Sequence, residues 1–271
     1  MSDVPRDLSP HDSSPHDSSP RKLSRRKLIT TGLAATAGVS ALGAAARIAQ
    51  KYGLVPPDHG GLYGLGETLT YASQRLLTRH SLAREFDRSQ ISKRPFPNET
   101  PPFNDAFKGL QAGGFADWRL SVNGMVARPA SFSLDQVKSF PSSSQITMVQ
   151  CEEGWSYIAE WIGVPLSHVL EAAGVLPQAR YVVYFSIDPE WWESIDMADA
   201  LHPQTFLTYG MNGDTLPVGN GGPLRLRLPR QLGYKSVKFI THLTVTDSLK
   251  SFGKGLGSAS PETGYAWYAG I

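Results

Sequence analysis

Between Trp118 and Thr246 the strand-like runs outnumber the helical ones, and this order excludes most architectures open to a chain of this length. Strand-like runs occur at Trp118 to Val122, Gln145 to Gln150, Tyr181 to Ile187, Thr205 to Tyr209, Pro223 to Leu228 and Val237 to Thr246. Asn123-Gly124 and Asn212-Gly213 read as turns. Ser133 can cap a short helix through Val137. A second helix is better marked: Pro165 suits its first turn, Leu166, Val169, Leu170 and Ala173 share one face, and Gly174 supplies a left-handed stop. A doubly wound sheet needs a helix after nearly every strand, so the expectation is an α+β domain with mixed β-sheets.

Upstream, Arg47 to Thr100 mixes Gly and Pro clusters with one helix around Thr68 to Leu77 and reads as an arm (47–100) laid over a main body (101–271). The 271 residues are 41% hydrophobic and 18% charged, which fits a globular chain and excludes collagen-like, disulfide-framework and wholly disordered classes. The formal charge of +2 belongs to the N-terminus: six Lys/Arg and four Asp/Glu precede Arg47, and the rest of the chain is balanced. That balance gives no electrostatic ground for nucleic acid or acidic lipid as a partner.

Residues 1–46 read as an address. His-Asp-Ser-Ser-Pro repeats from His11 to Pro20, a polar stretch that cannot bury enough apolar area to offset its ordering, so a disordered tail is expected. Ser24-Arg25-Arg26-Lys27-Leu28-Ile29-Thr30 then leads into a charge-free run from Leu28 to Ala46, which together resemble a twin-arginine export signal. Ala44-Ala45-Ala46 offers small residues for cleavage, while an uncleaved membrane anchor and a buried helix are the alternatives. Such export carries folded proteins, frequently with a cofactor already in place, and points to a periplasmic location and a partner in the export machinery.

The chain has no Cys-x-x-Cys, His-Glu-x-x-His, Walker loop or Gly-x-Ser-x-Gly, and the histidines after Arg47 are scattered, so zinc and serine hydrolase chemistry is unsupported. Gly253-Lys254-Gly255-Leu256-Gly257 follows the last strand with no helix after it and reads as a loop. Cys151 is the only cysteine. It ends a strand and opens the polar turn Glu152-Glu153-Gly154-Trp155, a place where a rigid sheet can present a ligand. A thiolate is a soft, strongly donating ligand for a redox metal; a small buried hydrophobe is the plain alternative.

Gln150-Cys151-Glu152-Glu153-Gly154-Trp155-Ser156, followed by Trp161 to Leu166, resembles the sulfite oxidase family of molybdopterin-dependent oxidoreductases, and within it the branch of periplasmic methionine sulfoxide reductase catalytic subunits. The resemblance continues through His202 to Thr205, Asn220 to Leu226 and Gly233 to Lys238. It implies a sulfite oxidase-type molybdopterin-binding domain. The implied cofactor is molybdenum-molybdopterin, with the metal held by the dithiolene of a single pterin, by oxo ligands and by one thiolate, here Cys151. By the same resemblance Ser186, Asn220 and Arg225 match cofactor contacts, Ser236, Val237 and Lys238 match a phosphate-binding stretch, and Asn98 matches an asparagine at the metal centre. Lys235 and Lys238 as solvated strand ends are the alternative there. Trp155, Trp161, Trp191 and Trp192 are candidates either for a substrate wall or for the core.

The implied reaction is two-electron oxygen-atom transfer. Basic residues follow the cysteine in sulfite oxidases, whereas Glu152 and Glu153 follow it here and disfavour an anionic substrate. A neutral S-oxide or related small molecule is therefore expected, unless a remote arginine folds into the pocket. The chain is expected to act as a monomer with one catalytic domain, exchanging electrons with a separate haem-containing protein in the membrane, since it carries no haem attachment motif. The alternatives are a sulfite oxidase-like dehydrogenase, a non-catalytic exported binding protein of the same fold, and an export-linked cofactor carrier.

Overall fold

The computed structural model describes residues 47–49, 51–61, 64–97, 102 and 104–271. The chain divides into Met1–Ile48 and Ala49–Ile271, and both sheets lie in the second unit. The export-signal-like stretch and Asn98 lie outside the described residues.

In chain order the elements are α1 (Gly64–Leu77), α2 (Asp105–Ala112), β1 (Arg119–Gly124), β2 (Ala130–Ser133), α3 (Leu134–Ser139), β3 (Ser143–Gln150), β4 (Ser156–Pro165), α4 (Leu166–Ala173), β5 (Tyr181–Ser186), β6 (Trp192–Asp196), α5 (Met197–Ala200), β7 (Phe206–Met211), β8 (Asp214–Thr215), β9 (Arg225–Arg227) and β10 (Ile240–Thr246). They form two sheets. One runs β2-β1-β10-β5-β6, with β1 and β10 parallel and its other pairs antiparallel. The other runs β3-β4-β7-β8, with β9 also on β7, and is antiparallel throughout. This is the expected α+β arrangement with mixed sheets.

The core joins the sheets through α4. Leu166, Val169, Leu170 and Ala173 are buried, and Gly174 ends the helix at φ 68°. They pack in one cluster with Leu120 of β1, Val164 of β4, Tyr184 of β5, Leu226 of β9 and Leu243 of β10. Each fully buried leucine or valine contributes about 1.5–3 kcal/mol, so this short helix fixes the sheets against each other. Pro165 sits at the cap of the helix, one residue before its first turn. Ser133 caps α3 by accepting from Gln136 N–H while the Gln136 side chain returns to Ser133 N–H.

Three local expectations change. Asn123-Gly124 is not a turn: both residues pair in parallel with Thr244 and Val245 of β10, and the reversal into β2 comes afterwards. Trp118 lies just outside β1, and β4 and β6 are strands that the sequence pattern did not mark. Lys235 is no solvated strand end, because it is fully buried with Nζ 2.6 Å from Glu193 Oε2.

Helix α1 docks by polar contacts. Tyr71 donates to Asp196 (2.6 Å), and Arg75 reaches Asp199 through both Nη atoms (3.1 and 2.6 Å). Arg230 joins from the body, donating to Asp199 Oδ1 at 3.2 Å. Burial opposes ionisation of Asp199, but hydrogen bonds and charge from Arg75, then Arg230, outweigh it and hold the carboxyl below its ordinary range.

Candidate active site

Cys151 is fixed by its backbone. Strands β3 and β4 pair as far as Gln150 and Ser156, and the turn between them closes with Cys151 N–H to Trp155 O (3.0 Å) and Gly154 N–H to Cys151 O (3.1 Å). The thiol is 9% exposed and lies 3.3 Å from Glu152 Oε2 and 3.7 Å from Glu153 Oε2. Burial first, then the neighbouring Glu152 and Glu153, push this thiol up to about 12. The free group is therefore a protonated thiol at neutral pH, and a bound metal cation would displace the proton. Glu153 also accepts from Trp155 Nε1 (2.7 Å), and the Trp155 ring lies parallel to Tyr157 at 5.9 Å.

The facing wall is cationic and comes from β9 with its flanking loops. Residues two apart on a strand share a face, which sets Arg225 and Arg227 over the same Trp161 ring at 5.3 and 5.4 Å. Arg225 donates to Asn220 O (2.8 Å) and Ser236 O (2.7 Å). Arg227 donates to Met148 O and reaches Thr147 Oγ1 at 3.4 Å. Lys238 donates to Gly219 O (3.0 Å) and Pro97 O. Gly221 makes room for this wall: its φ is 108°, and a Cβ there would meet Lys238 Cγ at 2.8 Å and Arg225 Cβ at 3.2 Å.

Between the walls lies a cavity of ≈ 830 Å³. Of the residues singled out in the sequence, Cys151, Ser186, Arg225, Ser236, Val237 and Lys238 line it. Asn220 is buried behind Arg225, and Asn98 lies outside the described residues. Trp155 and Trp191 line the cavity, whereas Trp161 is fully buried and Trp192 packs on Phe185 and Phe252. Glu152, Glu153, Asp188 and Glu190 also line it, as does Glu193, which is neutralised by Lys235. A remote arginine does enter the pocket, namely Arg225, and it does so on the wall that carries Ser236 and Lys238.

Sequence reasoning passed over Arg227 and Glu193. The alternation Arg225-Leu226-Arg227 was the available signal for the first, since it places two cations on one side of a buried strand. Glu193 carried no comparable signal, because its partners Lys235 and Ser260 are remote in sequence.

The residues present fit an anionic cofactor that brings its own metal ligands. Arg227 is 1% exposed, makes no ion pair among the described residues, and has an unpartnered Nε; Asn220 Nδ2 is likewise buried without a partner. Burial first, then the Arg225 charge, lower the Arg227 guanidinium to about 9, because no carboxylate on its own side of the site offsets them. Among the described residues no group of three or more His, Cys, Asp and Glu is placed to hold a metal ion. A metal at Cys151 would thus take its remaining ligands from the cofactor.

The family model for the oxidoreductase molybdopterin-binding domain matches residues 110–251. A protein of Azospira oryzae that bears the provisional name protein-methionine-sulfoxide reductase subunit YedZ1 is 38% identical over 195 residues, covering 72% of this chain and 70% of that protein. The protein-methionine-sulfoxide reductase catalytic subunit MsrP of Xanthomonas axonopodis pv. citri is 32% identical over 160 residues, 54% of this chain and 50% of that protein. The sulfane dehydrogenase SoxCD of Paracoccus pantotrophus aligns at 26% identity over 49% of this chain and 39% of its own, with a TM-score of 0.47. The family match extends over more than half of the chain and contains Cys151, Ser186, Asn220, Arg225 and the Ser236 to Lys238 stretch. The chain belongs to the oxidoreductase molybdopterin-binding domain family and is a molybdopterin-dependent oxidoreductase of the sulfite oxidase type.

Proposed function

We propose that this chain is the catalytic subunit of an exported S-oxide reductase, with Cys151 as the one protein ligand to molybdenum and a single pterin as the cofactor. The observation that carries this reading is the lone thiol, fixed at a closed turn, sharing one cavity with Arg225, Ser236, Lys238 and an acidic, aromatic mouth. The cofactor, when bound, supplies two-electron oxygen-atom transfer.

The chain supplies the rest. The hydrogen-bonded turn holds the Cys151 sulfur in place, and Arg225, Ser236, Val237 and Lys238, backed by Arg227, receive the anionic end of the pterin. Ser186, Asn220 and Asn98 contribute polar contacts. Trp155 and Trp191 offer apolar surface to the carbon groups of a sulfoxide. Reducing a sulfoxide to a sulfide consumes two electrons and two protons and releases water. Glu152, Glu153, Asp188 and Glu190 at the mouth disfavour entry of an anion such as sulfite.

Both relatives carry the word subunit in their names, which supports a separate electron donor. We assign that role to a haem protein in the membrane, with this chain a periplasmic monomer delivered by the twin-arginine route. No described helix is long and apolar enough to cross a membrane.

The test is a direct competition of substrates on purified, cofactor-loaded protein. Sulfoxides, including methionine sulfoxide, are assayed with a reduced dye, and sulfite with an oxidised one. We expect kcat/KM for a sulfoxide to exceed that for sulfite by at least about a hundredfold, and Glu152→Gln/Glu153→Gln to narrow the gap. Faster oxidation of sulfite would replace this reading with a sulfite oxidase-like dehydrogenase.

A further inference from the structure

Helix α1 is amphipathic in the reverse sense for a helix packed on a globular body. Its inward residues are Glu67, beside Asp58, and Tyr71 and Arg75, held by Asp196 and Asp199. At 100° per residue Leu65, Leu69 and Leu76 fall within one narrow arc on another side, and they are 74%, 61% and 68% exposed. Leu77, next in sequence, is 80% exposed. Single leucines on a surface are ordinary, but a leucine stripe on a helix that buries its polar residues is not.

The charges from Lys51 to Arg84 sort the same way, although Glu85 and Asp87, which follow, are exposed. From Lys51 to Arg84 the only acidic residues, Asp58 and Glu67, are buried, and Arg75 is buried against Asp196 and Asp199. The exposed charges are Lys51, Arg79 and Arg84, all basic. At Glu85 the chain bridges to Thr147 and joins the body. The neutral balance of the folded part, which argued against an acidic lipid partner, averages this segregation away.

We infer that α1 lies on an anionic bilayer surface, with its leucines in the headgroup region and Lys51, Arg79 and Arg84 toward the lipid phosphates. Two observations select lipid over other occupants. The exposed arm is complementary in charge to anionic headgroups. The charge-free run Leu28 to Ala46 ends about 18 residues before Gly64, roughly 60 Å of chain at full extension, so in its alternative reading as an uncleaved membrane anchor it would leave α1 within reach of a bilayer. The inference rests on the reading of that run and is independent of the molybdenum assignment.

The experiment is flotation of the full-length protein with vesicles of phosphatidylethanolamine and phosphatidylglycerol, and with vesicles of phosphatidylcholine, at low and high salt. Wild type should float with the anionic vesicles, and less so at high salt. Leu65→Ser/Leu69→Ser/Leu76→Ser should weaken partition by about tenfold or more with an unchanged melting temperature, because the three side chains are exposed. Arg79→Glu/Arg84→Glu should abolish the preference for phosphatidylglycerol. Undiminished flotation of the leucine variant would overturn the inference, leaving the N-terminal run as the membrane-binding element. So would a wild type that fails to float but forms a dimer dispersed by the leucine substitutions. Flotation seen only with a reconstituted membrane haem protein would overturn it as well, assigning the stripe to a protein partner.

Discussion

Two sets of buried arginines in this protein are handled in opposite ways. Arg75 and Arg230 converge on Asp199, with Asp196 beside them, so the cluster that fastens α1 closes on itself. Arg227 is just as deeply buried, yet it meets a carbonyl, hydroxyls and the face of Trp161, and no carboxylate among the described residues. Desolvating a guanidinium is costly, and a matched carboxylate offsets that cost only in the first set. The closed cluster belongs to the fold. The open one sits behind a cavity wall, where the anionic cofactor proposed above would supply the missing negative charge.

The largest effect should come from breaking the closed cluster. Arg75→Ala leaves Asp196 and Asp199 buried with only Arg230 beside them and should cost about 3–5 kcal/mol in chemical denaturation, whether or not cofactor is bound. The two carboxyls contribute pH dependence of opposite sign: burial, then the Asp199 charge, raise Asp196, which therefore loses stability as pH rises. Asp199 has a folded pKa held below its unfolded value, so its stabilisation is complete above the ordinary carboxylate range near pH 4 and fades as pH falls through the depressed value. The variant should lose much of that acid-dependent component. An Arg75→Ala protein as stable as wild type, with the same acid profile, would erase the distinction between the two sets.

A smaller and opposite effect is expected at the open set. Arg227→Met keeps the packing against Trp161 and removes an uncompensated charge, so the cofactor-free protein should be as stable as wild type or more so. Retention of pterin through purification should fall by about tenfold or more, read by fluorescence of the released pterin. Unchanged retention together with a large loss of stability would make Arg227 a structural residue like Arg75.

The parts legible in the sequence are those whose partners lie nearby in the chain. Helix α4 could be read from its apolar spacing and its glycine stop, and Cys151 from its place between a strand and a polar turn. What escaped depends on remote partners. Strand β6 buries Glu193, Ser194 and Asp196, which no apolar alternation marks, because Lys235, Ser258 and Arg75 satisfy them. Strand β3 was found, yet it turns Gln145 and Thr147 inward to serve Gln204 O and Arg227. The inward side of α1 was hidden for the same reason: a helix that buries Tyr71 and Arg75 becomes intelligible only once Asp196 and Asp199 are in place. At the site, the recurrence of separated motifs in order brought out Cys151, Ser186, Asn220, Arg225 and Ser236 to Lys238, while Arg227 emerged only from its burial.

The most direct test of the account is the molybdenum and pterin content of the full-length protein, matured in an export-competent host that makes the cofactor, beside a Cys151→Ser variant. The account predicts close to one molybdenum and one pterin per wild-type chain. In the variant, pterin should be retained on the Arg225, Ser236 and Lys238 wall while the metal's spectroscopic signature and turnover are lost. Wild-type protein matured in that host but containing neither molybdenum nor pterin would contradict it, as would a Cys151→Ser variant with an unaltered metal signature and full activity.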